Sequence, residues 1–167
     1  MGSTSEQCYQ RLELHEEKGE LILAEKPLPR PPADGCIVKT HCAGICHSDL
    51  HIWQSKVKIS DDVILGLKDL MPDFSYPLVM GHEISGEIHA LGENYAGERV
   101  VGERVVVYPW LGCNACDMCA SHNTNMCPLN TSKSLGIGQD GGYQAYVSVP
   151  DVQYAVPVPH DVPSDVA

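Results

Sequence analysis

"CIVKTHCAGICHSDLH", residues 36–51, changes its period partway through. As far as Gly44 it alternates like a β-strand entering a core. From Cys46 onward Ser48 and Asp49 suit the first turn of a helix, with Gly44 marking the change. Outward from this stretch the signals are almost all strand. Residues 9–15 and 20–25 read as two strands joined around Lys18-Gly19, and "PLPRPPADG" (27–35) as a stiff turn. "HEISGEIHALG" (82–92), "ERVVVYP" (103–109), "YQAYVSVP" (143–150) and "VQYAVPVP" (152–159) add four more. Segment 54–80 mixes charge and aliphatics without a clear period and is expected to be an excursion loop, part of it helical. The echo "GERVVGERVV" (97–106) is too short for a repeat architecture. Many short strands and few short helices predict a mainly β barrel or sandwich.

The chain has 167 residues, enough for one well-buried domain over 1–167 with a small lobe at about 109–131. Its 43% hydrophobic and 20% charged content is that of a globular protein. A formal charge of −11 opposes a nucleic-acid partner, whose phosphates the surface would repel. No apolar run approaches a membrane span, and "MGSTSEQCYQ" lacks the cationic and apolar regions of a secretory leader. Gly2 suggests acylation, but Glu6 stands where that motif wants Ser or Thr. The chain therefore reads as cytoplasmic, and its eight cysteines as thiols in a reducing compartment. The sequon at Asn130 carries no meaning there.

"CNACDMCASHNTNMC" places Cys113, Cys116, Cys119 and Cys127 in the order C-x2-C-x2-C-x7-C. Two-residue gaps let successive thiolates turn back onto one ion, and four of them complete the tetrahedron that zinc prefers. The residues between are loop formers with no apolar core, so metal binding would supply the order. An iron–sulfur cluster is the competing occupant. With four protein ligands the site is closed, hence structural.

Cys42 and Cys46 lack the spacing of a redox C-x-x-C pair. Cys42 is most simply a small buried hydrophobe, whereas Cys46, where strand gives way to helix, is a reasonable ligand. A partner is offered by "GHEISGEI" (81–88), in which His82 and Glu83 open a strand.

"GICHSDLH", "GHEISGEI", "GERVVV", the four-cysteine lobe and "GGYQAYVSVP" occur in an order and spacing that resemble the zinc-containing alcohol dehydrogenases of the medium-chain dehydrogenase/reductase family, over most of residues 9–160. Zinc-free members such as quinone reductases are disfavoured, because both ligand sets are present. The resemblance implies a GroES-like barrel. It implies that Cys46 and His82 bind a catalytic zinc, with Glu83 behind it as a close carboxylate or exchangeable ligand. Asp49 would accept a hydrogen bond from the far nitrogen of His82. Ser48 would hold the substrate hydroxyl, His51 would carry its proton to solvent, His47 would face the cofactor pyrophosphate, and Trp53 would line the alcohol pocket. The implied partners are a small alcohol or carbonyl substrate and NAD or NADP, in a protein that is a homo-oligomer at full length.

The family's third zinc ligand follows the "VPVPHDVP" region, and the sequence stops at Ala167, before it. The nucleotide-binding Rossmann half is absent too. "GIGQDG" (136–141) fits G-x-G-x-x-G, but strand follows it and no strand precedes it, so its glycines are expected in turns. The chain is therefore expected to be the catalytic portion of a dehydrogenase and, by itself, inactive toward NAD(P). A zinc-binding, non-catalytic short form and a polyol dehydrogenase of the same family remain open alternatives. The long segment 54–80 departs from compact yeast-like members.

Overall fold

In the computed structural model, which describes residues 7–58, 60 and 62–167, the opening stretch becomes β3 (Cys36–Gly44) followed directly by α1 (His47–Trp53). Gly2 and Glu6 lie outside the described residues. β3 runs between β6 (Glu83–Leu91) and β8 (Tyr146–Val149). With β7 (Arg104–Val107) and β9 (Ala155–Pro157) they form an antiparallel sheet in the order β8-β3-β6-β7-β9. Pairing on both sides leaves Cys36, Ile37 and Val38 with no exposure at all. Val38, Ile84, Ile88, Val105, Val107, Val147 and Val149 make the main core, β-branched side chains that fit a pleated surface.

The first two predicted strands are β1 (Cys8–Leu14) and β2 (Leu21–Pro27), a hairpin bridged to the rest through Arg11–Gln144 and Leu14–Leu78. Leu14 begins a second core, shared with Ile52, Leu67, Met71, Phe74, Leu78 and Met80. Segment 54–80 supplies most of these. It holds β4 (Lys56–Lys58) and β5 (Ile64–Gly66), which pair, and the short helix α2 (Leu67–Leu70). The expected part-helical excursion is there, but strands of three residues carry too little alternation to be read from sequence. Residues 59 and 61 of the segment lie outside the described residues.

β7, β8 and β9 are all shorter than expected. Residues 141–143 do not extend β8, because their N–H groups donate to the carbonyls of Val79, Gly81 and Met80. Residues 152–154 form a 3-10 turn before β9, started by Asp151, whose carboxylate accepts the N–H of Gln153. The remaining helices, α3 (Asp117–Ala120) and α4 (Asn130–Lys133), belong to the cysteine lobe and its exit. No helix among the described residues is long and apolar enough to cross a membrane.

The pairing of β3 with β6 fixes the rest. Its register slips between Thr40 and Cys42, leaving His41 as the extra residue of a bulge. Beyond it Gly44 faces Glu83. The chain entering α1 and the chain arriving at β6 therefore meet at one end of the sheet.

Candidate functional site

At that end Cys46 Sγ stands 3.2 Å from His82 Nε2. Cys46 is the N-cap of α1, and its sulfur accepts the N–H of Ser48 at 3.3 Å. His82 is buried, and its other nitrogen, Nδ1, has no hydrogen-bond partner. A buried imidazole with an unpartnered nitrogen and a thiol at its other one has capacity left for a ligand. A zinc ion bound tetrahedrally by one sulfur and one nitrogen spaces them about 3.5 Å apart, so the pair fits with a small opening. One carboxylate oxygen of Asp49 lies with these two atoms inside a 4.8 Å cluster.

The expected hydrogen bond between Asp49 and His82 is not formed, and this corrects the sequence reading. Asp49 is the third residue of α1, and its Oδ2 closes a capping box by accepting the N–H of Cys46 at 2.9 Å. Its Oδ1 accepts the N–H of Gly81 at 3.1 Å. Both oxygens are thus engaged by backbone before the imidazole is reached. The carboxylate joins the two segments that carry Cys46 and His82 without a hydrogen bond to the ring. Cys42 is half-buried, beside Glu83 and Ser85, and not a core residue.

Ser48 and His51 sit three residues apart on α1, so they share a face, and both are half-buried. His51 stacks on the exposed His47 with ring centres 4.6 Å apart. The two line a cleft with Gln54, Lys56 and Lys58, a local concentration of cationic groups in an acidic chain. Glu83 lies outside the Cys46–His82 cluster, with its carboxylate folded over Gly44. Trp53 ends α1 against the second core, its indole N–H donating to the Gly19 carbonyl at 2.9 Å. The aromatic ring beside His82 is Trp110, at a centroid distance of 5.9 Å. It lines an open cleft of about 450 Å³ with His82, Glu83, Val107 and Tyr108. Sequence reasoning missed Trp110. The available signal was its place three residues before Cys113, which ties it to the root of the lobe.

The "GIGQDG" stretch lies between α4 and β8, with no strand–helix frame around it. It serves close packing. A methyl group at Gly141 would stand 2.0 Å from the carbonyl oxygen of Gly81, so position 141 can lie beneath the residue that precedes His82 only without a side chain.

Cys113, Cys116, Cys119 and Cys127 converge, with all four sulfurs within 4.8 Å of one another. The sulfurs of Cys113 and Cys116 are 3.9 and 3.6 Å from that of Cys119. Four thiolates around a tetrahedral zinc lie about 3.8 Å apart, so the donors fit that ion. The N–H of Ala115, helped by neighbouring thiols, pulls Cys113 down to about 6. Cys116, against the downward pull of the Cys119 N–H, is pushed up to about 11 by burial and the thiols around it. Such a cluster shares its first negative charge among hydrogen-bonded sulfurs, ready for a cation. The lobe is tied to the 3-10 turn before β9 through Asn114, which donates to Asp151 and accepts from the Tyr154 hydroxyl.

Residues 32–160 match the family model for the alcohol dehydrogenase GroES-like domain. The L-galactonate-5-dehydrogenase of Escherichia coli is 37% identical over 131 residues, which cover 78% of this chain and 34% of that protein. The solved short chain alcohol dehydrogenase of Escherichia coli CFT073, in complex with NADH, superimposes with a TM-score of 0.74 at 32% identity, over 94% of this chain and 40% of that one. A cobalt- and zinc-bound thermostable alcohol dehydrogenase from Pyrobaculum aerophilum gives a TM-score of 0.73 at 26% identity, over 93% and 43%. The chain thus spans about a third of the length of the curated relative and two fifths of these structures.

Proposed function

We propose, from the premise that this chain belongs to the alcohol dehydrogenase GroES-like domain family, that it forms the metal-binding, proton-handling part of a zinc-dependent, NAD(P)-linked dehydrogenase. The reaction is oxidation of a primary or secondary alcohol to an aldehyde or ketone. The observation that carries the reading is the 3.2 Å approach of Cys46 Sγ to His82 Nε2, two side chains 36 residues apart that meet beside an open cleft.

When bound by Cys46 and His82, zinc supplies a Lewis acid that lets a hydroxyl ionise near neutral pH. The chain's own residues do the rest. Trp110 and Val107 give the cleft an apolar wall that holds the carbon skeleton and excludes water. Ser48 accepts a hydrogen bond from the substrate hydroxyl and takes its proton without holding charge. His51, one turn along the same face of α1, receives that proton and releases it into the cationic cleft. His47 at the mouth of that cleft, with Lys56 and Lys58 near it, attracts the cofactor's pyrophosphate. Glu83, whose carboxylate lies over Gly44, would serve as the exchangeable carboxylate only by swinging toward the pair. The lobe of Cys113, Cys116, Cys119 and Cys127 holds a second zinc that is purely structural. Cys36, Cys42, Cys46 and the four lobe cysteines form no disulfide, and a cytoplasmic location is proposed with them as thiols. At full length it acts as a homo-oligomer.

A polyol or sugar-acid substrate is the second reading, favoured by the 37% identity to an enzyme named for L-galactonate. The test is zinc per chain in the unmodified protein, Cys46→Ser and Cys116→Ser. Cys116→Ser should abolish a tightly held equivalent, and Cys46→Ser a weaker one. Metal at the second site that is indifferent to Cys46 would remove the dehydrogenase reading.

A further inference from the structure

Trp110 is half-buried beside His82, on a stretch, residues 108–112, that belongs to neither a strand nor a helix. Its place depends on what holds the ends of that stretch, and one residue holds both. The N–H of Tyr108 donates to the carbonyl of Tyr154 at 2.8 Å, and the N–H of Gly112 donates to the Tyr154 hydroxyl at 3.0 Å. Tyr154 is 3% exposed, and its ring stacks with that of Tyr108, 6.5 Å between centres and 10° between planes.

The same hydroxyl reaches the cysteine lobe. It donates to Asn114 Oδ1 at 3.0 Å, and Asn114 directly follows Cys113. Gly112 also lies against the lobe, since a methyl group there would stand 2.5 Å from Cys119 Sγ. Phenylalanine would fill the core and stack on Tyr108 equally well, so these two bonds are what the hydroxyl adds. We propose that Tyr154 is a positioning residue that sets Trp110 against His82, and that its hydroxyl passes the order of the metal-loaded lobe to that wall of the cleft. This rests on the reading of the four cysteines as a zinc site. With Met118 and Met126 exposed, the lobe has little apolar packing, and its ion supplies its order. Gly112 and Asn114 meet the hydroxyl together only when the lobe is folded. The ion that folds the lobe thereby also fixes the end of the stretch that carries Trp110.

The experiment is a zinc titration of this chain, made metal-free, against a competing chelator. A Trp53→Phe, Cys46→Ser background leaves Trp110 as the single tryptophan and the lobe as the zinc site. Zinc uptake should shift Trp110 emission to the blue and reduce its quenching by acrylamide. Adding Tyr154→Phe should remove most of that response while one zinc per chain is still bound, with the lobe's affinity about 5-fold lower, the small end of coupling between two sites. The melting temperature of the metal-free chain should hold, because the ring is kept. Asn114→Gly preserves the left-handed backbone at φ +56° and should weaken the response from the lobe side without touching the core. A Trp110 response that is missing before either substitution, one that survives both, a lobe affinity unchanged by Tyr154→Phe, or a response lost only together with a lower metal-free melting temperature would each overturn the assignment. Zinc uptake indifferent to Cys116→Ser would instead overturn the reading of the lobe itself.

Discussion

Asp49 accepts the backbone N–H of Gly81 at 3.1 Å, so the first turn of α1 is fastened to the residue that precedes His82. The same carboxylate caps the helix through Cys46. Two side chains that meet at the end of the sheet are thereby held by backbone, and no flexible side-chain pair sets their spacing.

Replacing this carboxylate by an amide tests the fastening. In Asp49→Asn one oxygen becomes an NH2 group facing an N–H, which costs about 1–3 kcal/mol for the unsatisfied buried donors. Urea unfolding of the metal-free chain should show that loss. Zinc in the lobe should be untouched, because Asp49 contributes nothing there.

Gly81 has φ of +89° and lies under the ring of Tyr143, 2.5 Å from where its own Cβ would be. Gly81→Ala combines an unfavourable backbone conformation with a clash, so destabilisation above about 1–3 kcal/mol is expected. Thermal melting measures it. Binding at the Cys46–His82 pair should weaken even where the chain still folds, since His82 is the next residue.

Removal of metal should loosen the lobe ahead of the sheet. Met118 and Met126 are exposed there, so little apolar packing opposes unfolding of residues 113–127 once the sulfurs lose their ion. A strong chelator should expose this stretch to limited proteolysis while residues 36–44 and 83–91 stay protected. Uniform protection with and without chelator would contradict it.

Acid should find a weak point at Glu13, which is 4% exposed. Its carboxylate is 2.8 Å from Arg11 Nε, 2.9 Å from His15 Nε2 and 3.8 Å from Lys26 Nζ. Burial alone would raise its pKa, but the bond to His15 and the charges of Arg11 and Lys26 outweigh that and hold it below the ordinary carboxylate value. A depressed folded-state pKa gives stability that is full above the unfolded value, about 4.3, and is lost as pH falls through the folded one. Melting temperatures between about pH 6 and pH 3 should fall in the unmodified chain. The decline should be shallower in Glu13→Gln, which starts lower.

Sequence reading found β3 and the start of α1 at once, because the change from alternation to a polar first turn is written in consecutive residues. It found the cysteine lobe for the same reason. β4 and β5 were invisible because three residues give no period. The partner of Asp49 was misassigned, since its place as the third residue of α1 commits one oxygen to Cys46, and only the tertiary approach of Gly81 claims the other. Trp110 and Tyr143 escaped notice on similar grounds. A single aromatic residue has no pattern, and its meaning comes from what the β3–β6 bulge and the glycines at 136–141 bring beside it.

The two thiol-bearing sites differ in how much chain must be closed to build them. Cys113 to Cys127 closes a short local loop, whereas Cys46 meets His82 only after β3 and β6 have paired across the excursion between them. Loop-closure entropy and the distance between pairing partners delay the second event relative to the first. In a complete chain that refolds, the lobe therefore gathers its sulfurs first, and an ion held by Cys46 and His82 would report that β3 and β6 are already in register.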